Sequence, residues 1–321
     1  MTMNKRLRYL SVCSGIEAAT VAWHPLGWEP VAFSEIEKFP SAVLQHHYPD
    51  VPNYGDMTKH KEWPHADVDI LVGGTPCQSF SVAGLRKGLD DPRGNLALTY
   101  LAIAAQYRPR WLVWENVPGV LSSNRGRDFG SFLGALGQLG YGFAYRVLDA
   151  QYFGVAQRRR RVFVVAHLGD WRRAAAVLFE RESLSGHPAP SREARKDVAK
   201  TLTRGVGQRL DFETEDFPIS FHPTQDPIYS DDGSTHALGC GGKGGQASVA
   251  VADQWAVRRL TPVECERLQG FSDGYTAIPW RGKPADQCPD GPRYKALGNS
   301  MAVPVMNWIG RRINMIEEIA S

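Results

Sequence analysis

Short apolar runs separated by stretches of helical periodicity organise the first half of the chain. Residues 9–13 (YLSVC), 69–73 (DILVG), 111–115 (WLVWE) and 162–166 (VFVVA) are near-continuous apolar runs, and residues 29–35 hold another. Runs of this length read as strands buried on both faces of a sheet. Between them, residues 95–107 and 128–139 repeat their apolar positions at helical spacing. Strands alternating with helices predict an α/β fold with a doubly wound, mostly parallel, Rossmann-like sheet. The pattern changes after residue 168. Residues 183–250 are rich in Gly, Ser, Pro, Thr and charge, and residues 239–245 form a loop by composition. This half predicts a second, smaller and irregular domain. At the end, Met301, Val305, Trp308, Ile309, Ile313 and Ile316 fall on one side of a helix over 300–320, with Ser300 as N-cap and Pro304 in the first turn.

Composition narrows the class. The chain has 321 residues, 43% hydrophobic and 22% charged, which suits a globular protein with room for one large domain and a smaller one. No apolar run is long enough to span a bilayer, and residues 9–12 are too short for a signal sequence, so a cytoplasmic protein is expected. The five cysteines include no pair at C-x-x-C spacing, which speaks against a disulfide framework or a metal site. The net charge is only +3, but residues 151–210 carry thirteen Lys/Arg against five Asp/Glu. That excess fits either a phosphate-facing surface or a solvated face.

Three constellations carry chemistry. The third strand runs through Gly73 and Gly74 into Thr75, Pro76, Cys77 and Gln78, at the carboxyl end of a strand, where doubly wound sheets bind ligands. Cys77 there is either an exposed nucleophile, acting as its thiolate, or a buried small hydrophobe. The fourth strand ends in Glu115, Asn116, Val117 and Pro118, making Glu115 either an acid or base beside the Cys77 loop or a structural carboxylate. Gln157 and the arginines 158–161 precede the next strand. Strand alternation would put Arg159 and Arg161 on one side. The first strand, its Ser14 and Gly15 turn, and Glu35 twenty residues later match a nucleotide-binding half, with Glu35 accepting from ribose hydroxyls. A full G-x-G-x-x-G is missing, so a ligand with ribose but no pyrophosphate fits better than a dinucleotide.

Taken in order, these segments strongly resemble the DNA (cytosine-5)-methyltransferases. The family's Pro-Cys-Gln is Pro76, Cys77, Gln78; its Glu-Asn-Val is Glu115, Asn116, Val117; its Gln-x-Arg-x-Arg is Gln157, Arg159, Arg161. Its Arg-x-Leu-Thr-Pro-x-Glu is met by Arg258, Leu260, Thr261, Pro262 and Glu264, its Gly-Asn-Ser by Gly298, Asn299 and Ser300, and its Gly-Asp by Gly55 and Asp56. Each motif alone is weak, but their shared order over residues 8–168 and 258–312 is highly specific. The first motif departs from the family's Phe-x-Gly-x-Gly-Gly: of its three glycines only Gly15 is kept, and Glu17 and Ala18 stand in place of the other two.

The resemblance implies a methyltransferase fold that uses S-adenosylmethionine and releases S-adenosylhomocysteine. It implies Cys77 as nucleophile at cytosine carbon 6, Glu115 as acid at ring nitrogen 3, and Arg159 and Arg161 on the base's carbonyl oxygen. Cys13, Ser14, Gly15, Ile16, Glu35, Ile36, Asp56, Met57, Pro76, Leu96, Asn299 and Ser300 would line the cofactor site, with no metal. The partner would be double-stranded DNA with the target base flipped out, and the enzyme monomeric. Residues 1–168 and 294–321 would form the large domain and 169–293 the small one, with target recognition in 169–257. That short region and the altered first motif suggest a solitary phage or prophage enzyme in a bacterial host. The tRNA-modifying branch of the family carries a Cys-Phe-Thr absent here. The intact Cys77, Glu115 and Arg159 argue against a catalytically dead DNA-binding regulator, and the missing G-x-G-x-x-G against a nicotinamide-dependent oxidoreductase.

Overall fold

The computed structural model describes residues 6–76, 96–180, 235–236, 250–253 and 256–320. Cys77, Gln78, Cys240 and most of the region 169–257 lie outside them. The chain divides into two compact units, one of Met1–Leu148, Arg160–His187 and Val305–Ser321, the other of Asp149–Arg159 and Pro188–Pro304.

The first unit is built on β1 (Arg8–Val12), β2 (Glu29–Ser34), β3 (Ile70–Gly74), β4 (Trp111–Asn116), β5 (Tyr141–Asp149) and β7 (Arg160–Leu168), in the order β2-β1-β3-β4-β7-β5. β6 is the short Gln157–Arg158. β2, β1, β3 and β4 are parallel, and β7 runs antiparallel to β4. The helices between them are α1 (Ala18–Trp23), α2 (Lys38–His47), α3 (Leu96–Tyr107), α4 (Arg127–Gln138) and α5 (Trp171–Leu178). The apolar runs are strands because both sheet faces are covered: all six residues of β4 are buried. α3 locks onto the sheet through Tyr100, whose Oη lies 3.0 Å from the Leu71 carbonyl and 3.1 Å from that of Val113. The Trp114 ring stacks on Phe132 of α4 at 4.2 Å.

β5 is absent from the sequence reading. It is a sheet-edge strand, and its burial is broken by partly and fully exposed positions, so no continuous apolar run marks it. The last helix, α8, spans Val303–Ala320. Ser300 is not its N-cap. It closes α7 (Asp290–Asn299), accepting an extended backbone there, while its hydroxyl bonds the Met301 carbonyl at 3.1 Å. Within the first unit α8 packs on α1: Trp23 Nε1 donates to the Met306 carbonyl at 2.8 Å, and Asn307 Nδ2 donates to the Ala22 carbonyl at 2.8 Å. Gly310 permits this approach, since a Cβ there would stand 2.5 Å from the buried Trp23 ring. Glu317 receives both Arg110, at 2.5 Å, and Trp111 Nε1, at 3.0 Å, so the end of α8 is tied to the start of β4.

The second unit holds β6 paired with β8 (Thr235–His236), the antiparallel pair of β9 (Ala250–Asp253) and β10 (Ala256–Arg259), then α6 (Pro262–Gln269) and α7. Among the described residues no helix is long and apolar enough to cross a membrane.

Candidate active site

The β1 turn is strained in a patterned way. Cys13, Gly15 and Glu17 have φ of +50°, +56° and +62°. Gly15 adopts this freely, and the other two need compensation. Gly15 N–H donates to Glu35 Oε2 at 2.8 Å, and Glu35 Oε1 accepts from Glu37 N–H at 2.7 Å. The residues paired by their twenty-residue spacing therefore meet directly. Ser14 N–H donates to the Ser34 carbonyl, and Ser14 Oγ accepts from Ser34 N–H. Cys13 Sγ lies 3.4 Å from Met57 Sδ. Asp56 caps the following turn with Oδ1 on both the N–H and the hydroxyl of Thr58. Ile36, next to Glu35, is 69% exposed despite its apolar side chain.

Asn53 went unnoticed in the sequence. Its Oδ1 accepts from Glu35 N–H and Gly55 N–H, and its Nδ2 donates to the Glu35 carbonyl and to Ser41 Oγ, all at 3.0–3.2 Å. One side chain thus holds the Glu35 and Asp56 segments in register. Its position two residues before Gly55 was the only signal available.

Glu17 is 1% exposed and caps α1. Burial pushes its carboxyl up to about 7, partly offset by the hydrogen bonds from Ser11 and Thr20. A raised carboxyl means that folding takes up a proton, so this group's favourable contribution is complete below its ordinary value near 4.5 and is lost as pH rises through about 7. Melting curves should show wild type losing stability relative to Glu17→Gln between pH 5 and pH 8. Parallel curves would contradict this.

A second group forms at the ends of β3 and β4. Gly74 pairs in register with Glu115. Trp114 Nε1 donates to Thr75 Oγ1 and Asn116 Nδ2 to the Thr75 carbonyl, both at 2.9 Å. The root of the Pro76–Cys77 segment is therefore clamped to β4, directly beside Glu115. Glu115 is largely buried, and its Oε1 lies 3.0 Å from Arg161 Nε. Pro76 is exposed and Leu96 opens α3 against the core.

Arg159 and Arg161 have different partners. β7 begins at Arg160, so strand alternation does not extend back to Arg159. Within the second unit Arg159 is buried and donates through Nη2 to the carbonyls of Gly298, at 3.1 Å, and Ser300, at 2.6 Å. Its own N–H donates to Asp149 Oδ1 at 2.9 Å. Asn299 is exposed and Ser300 buried in the same unit.

The late motifs are structural. Thr261 and Glu264 form a reciprocal capping box at the start of α6, with Pro262 at its first position. Glu266 is fully buried and accepts from Gly274 N–H, Thr276 N–H, the Thr276 hydroxyl and Arg293. Glu266→Ala should destabilise the protein by about 3–5 kcal/mol, because it strands a buried guanidinium. Denaturant unfolding checks this, and a loss below about 1 kcal/mol would contradict it.

The described cysteines do not suit nucleophilic attack. Burial, and then the charge of Glu35, pushes the Cys13 thiol up to about 12, and burial followed by Glu264 and Glu266 does the same for Cys265. Cys288 is buried. Among the described residues no group of three or more His, Cys, Asp or Glu could hold a metal ion.

Against known proteins, the sequence matches the C-5 cytosine-specific DNA methylases over residues 7–215 and 221–315. The chain belongs to this family. It is similar to the Type II methyltransferase M.SsoII of Shigella sonnei, 29% identical over 97% of this chain and 80% of that protein. It is also 37% identical, over 96% of its length, to a protein of Escherichia phage P1 named as a DNA N-6-adenine-methyltransferase. The chain spans 61% of that longer relative. The Dnmt2 methyltransferase of S. pombe shares the fold, with a TM-score of 0.64 and 18% identity, covering 98% of this chain and all of that one. The six-stranded α/β sheet is of the fold class that the sequence led one to expect.

Proposed function

We propose that this methylase transfers the methyl group of S-adenosylmethionine to carbon 5 of a flipped cytosine in double-stranded DNA, releasing S-adenosylhomocysteine. The observation that carries the reading is Glu115 paired with Arg161, next to a Thr75 that is clamped two residues before Cys77.

The turns at the ends of β1 and β2 suit the cofactor. Glu35 accepts from the backbone of Gly15, Ile36 and Glu37, fewer bonds than its two oxygens can take, which leaves acceptor capacity for a ribose hydroxyl. Asp56 uses Oδ1 on Thr58, leaving Oδ2 for the adenine amino group. Exposed Ile36 offers an apolar surface for the adenine face, and the family resemblance adds Cys13, Ser14, Ile16, Met57, Pro76, Leu96, Asn299 and Ser300 as cofactor positions. When bound, S-adenosylmethionine supplies an electrophilic methyl group on its sulfonium.

Cys77 attacks as its thiolate at cytosine carbon 6, which breaks the ring's aromaticity and makes carbon 5 enamine-like. Glu115 delivers a proton to ring nitrogen 3, so negative charge does not accumulate on the base. Arg161 orients the Glu115 carboxyl, and Arg161 and Arg159 serve the base's carbonyl oxygen. Carbon 5 then takes the methyl group; loss of the carbon-5 proton to a water molecule, elimination of Cys77 as its thiolate and return of the nitrogen-3 proton to Glu115 restore the aromatic ring and both side chains. Residues 1–168 and 294–321 supply this chemistry. The choice of sequence falls to segment 169–257.

The test is label transfer from S-adenosylmethionine to unmethylated DNA, with the product nucleosides separated by chromatography. 5-Methylcytosine is expected. N6-Methyladenine, the product suggested by the name of the phage P1 relative, would overturn the reading, as would label in RNA alone.

A further inference from the structure

We propose that Glu17 is a positioning residue for the cofactor turn, replacing with a buried carboxylate clamp the backbone freedom that glycine supplies in the family's first motif. The inference rests on reading residues 13–17 as part of the S-adenosylmethionine site.

Glu17 occupies the left-handed region, at φ +62° and ψ +56°, where a side chain is strained and glycine is not. A non-glycine residue persists there only if its surroundings fix it. They do so from both sides. The hydroxyl of Ser11, in β1, donates to Oε1; the Thr20 N–H and hydroxyl, in α1, donate to Oε2 at 3.1 and 2.5 Å. Thr20 Oγ1 in turn lies 2.7 Å from Tyr9 Oη, and the Tyr9 ring packs edge-on to Trp23 at 5.2 Å. One carboxylate therefore ties the last turn of the strand to the first turn of the helix and anchors both in the core.

The turn between those anchors is short. Glu17 N–H donates to the Ser14 carbonyl at 3.0 Å, and Ser14 Oγ donates to the Ser11 carbonyl at 3.0 Å. Gly15, held inside this loop, is the residue whose N–H fixes Glu35. Glu17 does not reach the ligand surface, being fully enclosed. It acts through Gly15 and Glu35: if the clamp opens, Glu35 loses the donor that reaches it from the β1 turn. Glycine at this position removes the strain but also the three hydrogen bonds, so it permits the shape without enforcing it.

The experiment compares wild type, Glu17→Gly, Glu17→Gln and Ser11→Ala in calorimetric titration with S-adenosylhomocysteine and in steady-state methylation of DNA. Glu17→Gly should weaken binding and raise KM for S-adenosylmethionine about tenfold or more, with kcat at saturating cofactor within about twofold. Glu17→Gln keeps an acceptor at the same reach and should stay within about threefold of wild type. Ser11→Ala removes one donor and should fall between, and it reports on the clamp even if the glycine variant does not fold. Unchanged affinity in Glu17→Gly and Ser11→Ala, with only a lowered melting temperature, would show a purely structural carboxylate and overturn the proposal. A wild type that fails to bind the cofactor would instead overturn the reading of the site, and this proposal with it.

Discussion

Replacing Glu115 by glutamine is expected to slow methylation by about 100-fold or more, the usual scale for a positioned acid. Glutamine keeps the size of the side chain and an acceptor for Arg161 Nε, which lies 3.0 Å from the carboxylate in the wild type. It cannot deliver a carboxylic acid proton to ring nitrogen 3. The pairing with Arg161 also gives Glu115 a structural reading, in which its loss would mainly lower stability. Single-turnover rate and melting temperature measured on the same Glu115→Gln sample separate the two. A large melting shift with a near-normal rate would make Glu115 a scaffold residue.

Cys77→Ser is expected to abolish methyl transfer while leaving the fold and DNA binding intact. Serine keeps the shape, but its hydroxyl is a far weaker nucleophile than a thiolate at neutral pH. Burial holds the Cys13 and Cys265 thiols near 12, so neither can substitute as thiolate. Measuring turnover together with DNA affinity at fixed salt checks this. Normal turnover in Cys77→Ser would remove the nucleophile from the account, and lost DNA binding would point to a structural role for the loop.

Much of the large unit is written locally. β1, β3, β4 and β7 are continuous apolar runs because both of their faces are covered, and the spacing between Gly15 and Glu35 is realised as a hydrogen bond. What escaped the sequence depends on partners far apart in the chain or on conformation. Glu266 meets Arg293 twenty-seven positions away, Asn53 bridges two loops, and Glu17 reveals itself only through a left-handed backbone. β5 escaped because an edge strand mixes buried and exposed positions. Ser300 misled because N-cap chemistry and helix-end chemistry use the same residue type, and the chain ends α7 there three residues before α8 begins. In the arginine run, alternation is a property of strands and the strand starts at Arg160, so it does not extend back to Arg159.

The most direct measurement is covalent trapping on double-stranded DNA carrying 5-fluorocytosine at the target position, with S-adenosylmethionine present. Fluorine cannot leave carbon 5 as the proton does, so elimination of the enzyme is blocked after attack at carbon 6. A denaturing gel should show a stable protein–DNA adduct with the wild type and none with Cys77→Ser. An adduct that persists in Cys77→Ser, or a wild type that methylates cytosine yet forms no adduct, would contradict the assignment of Cys77 as the attacking group.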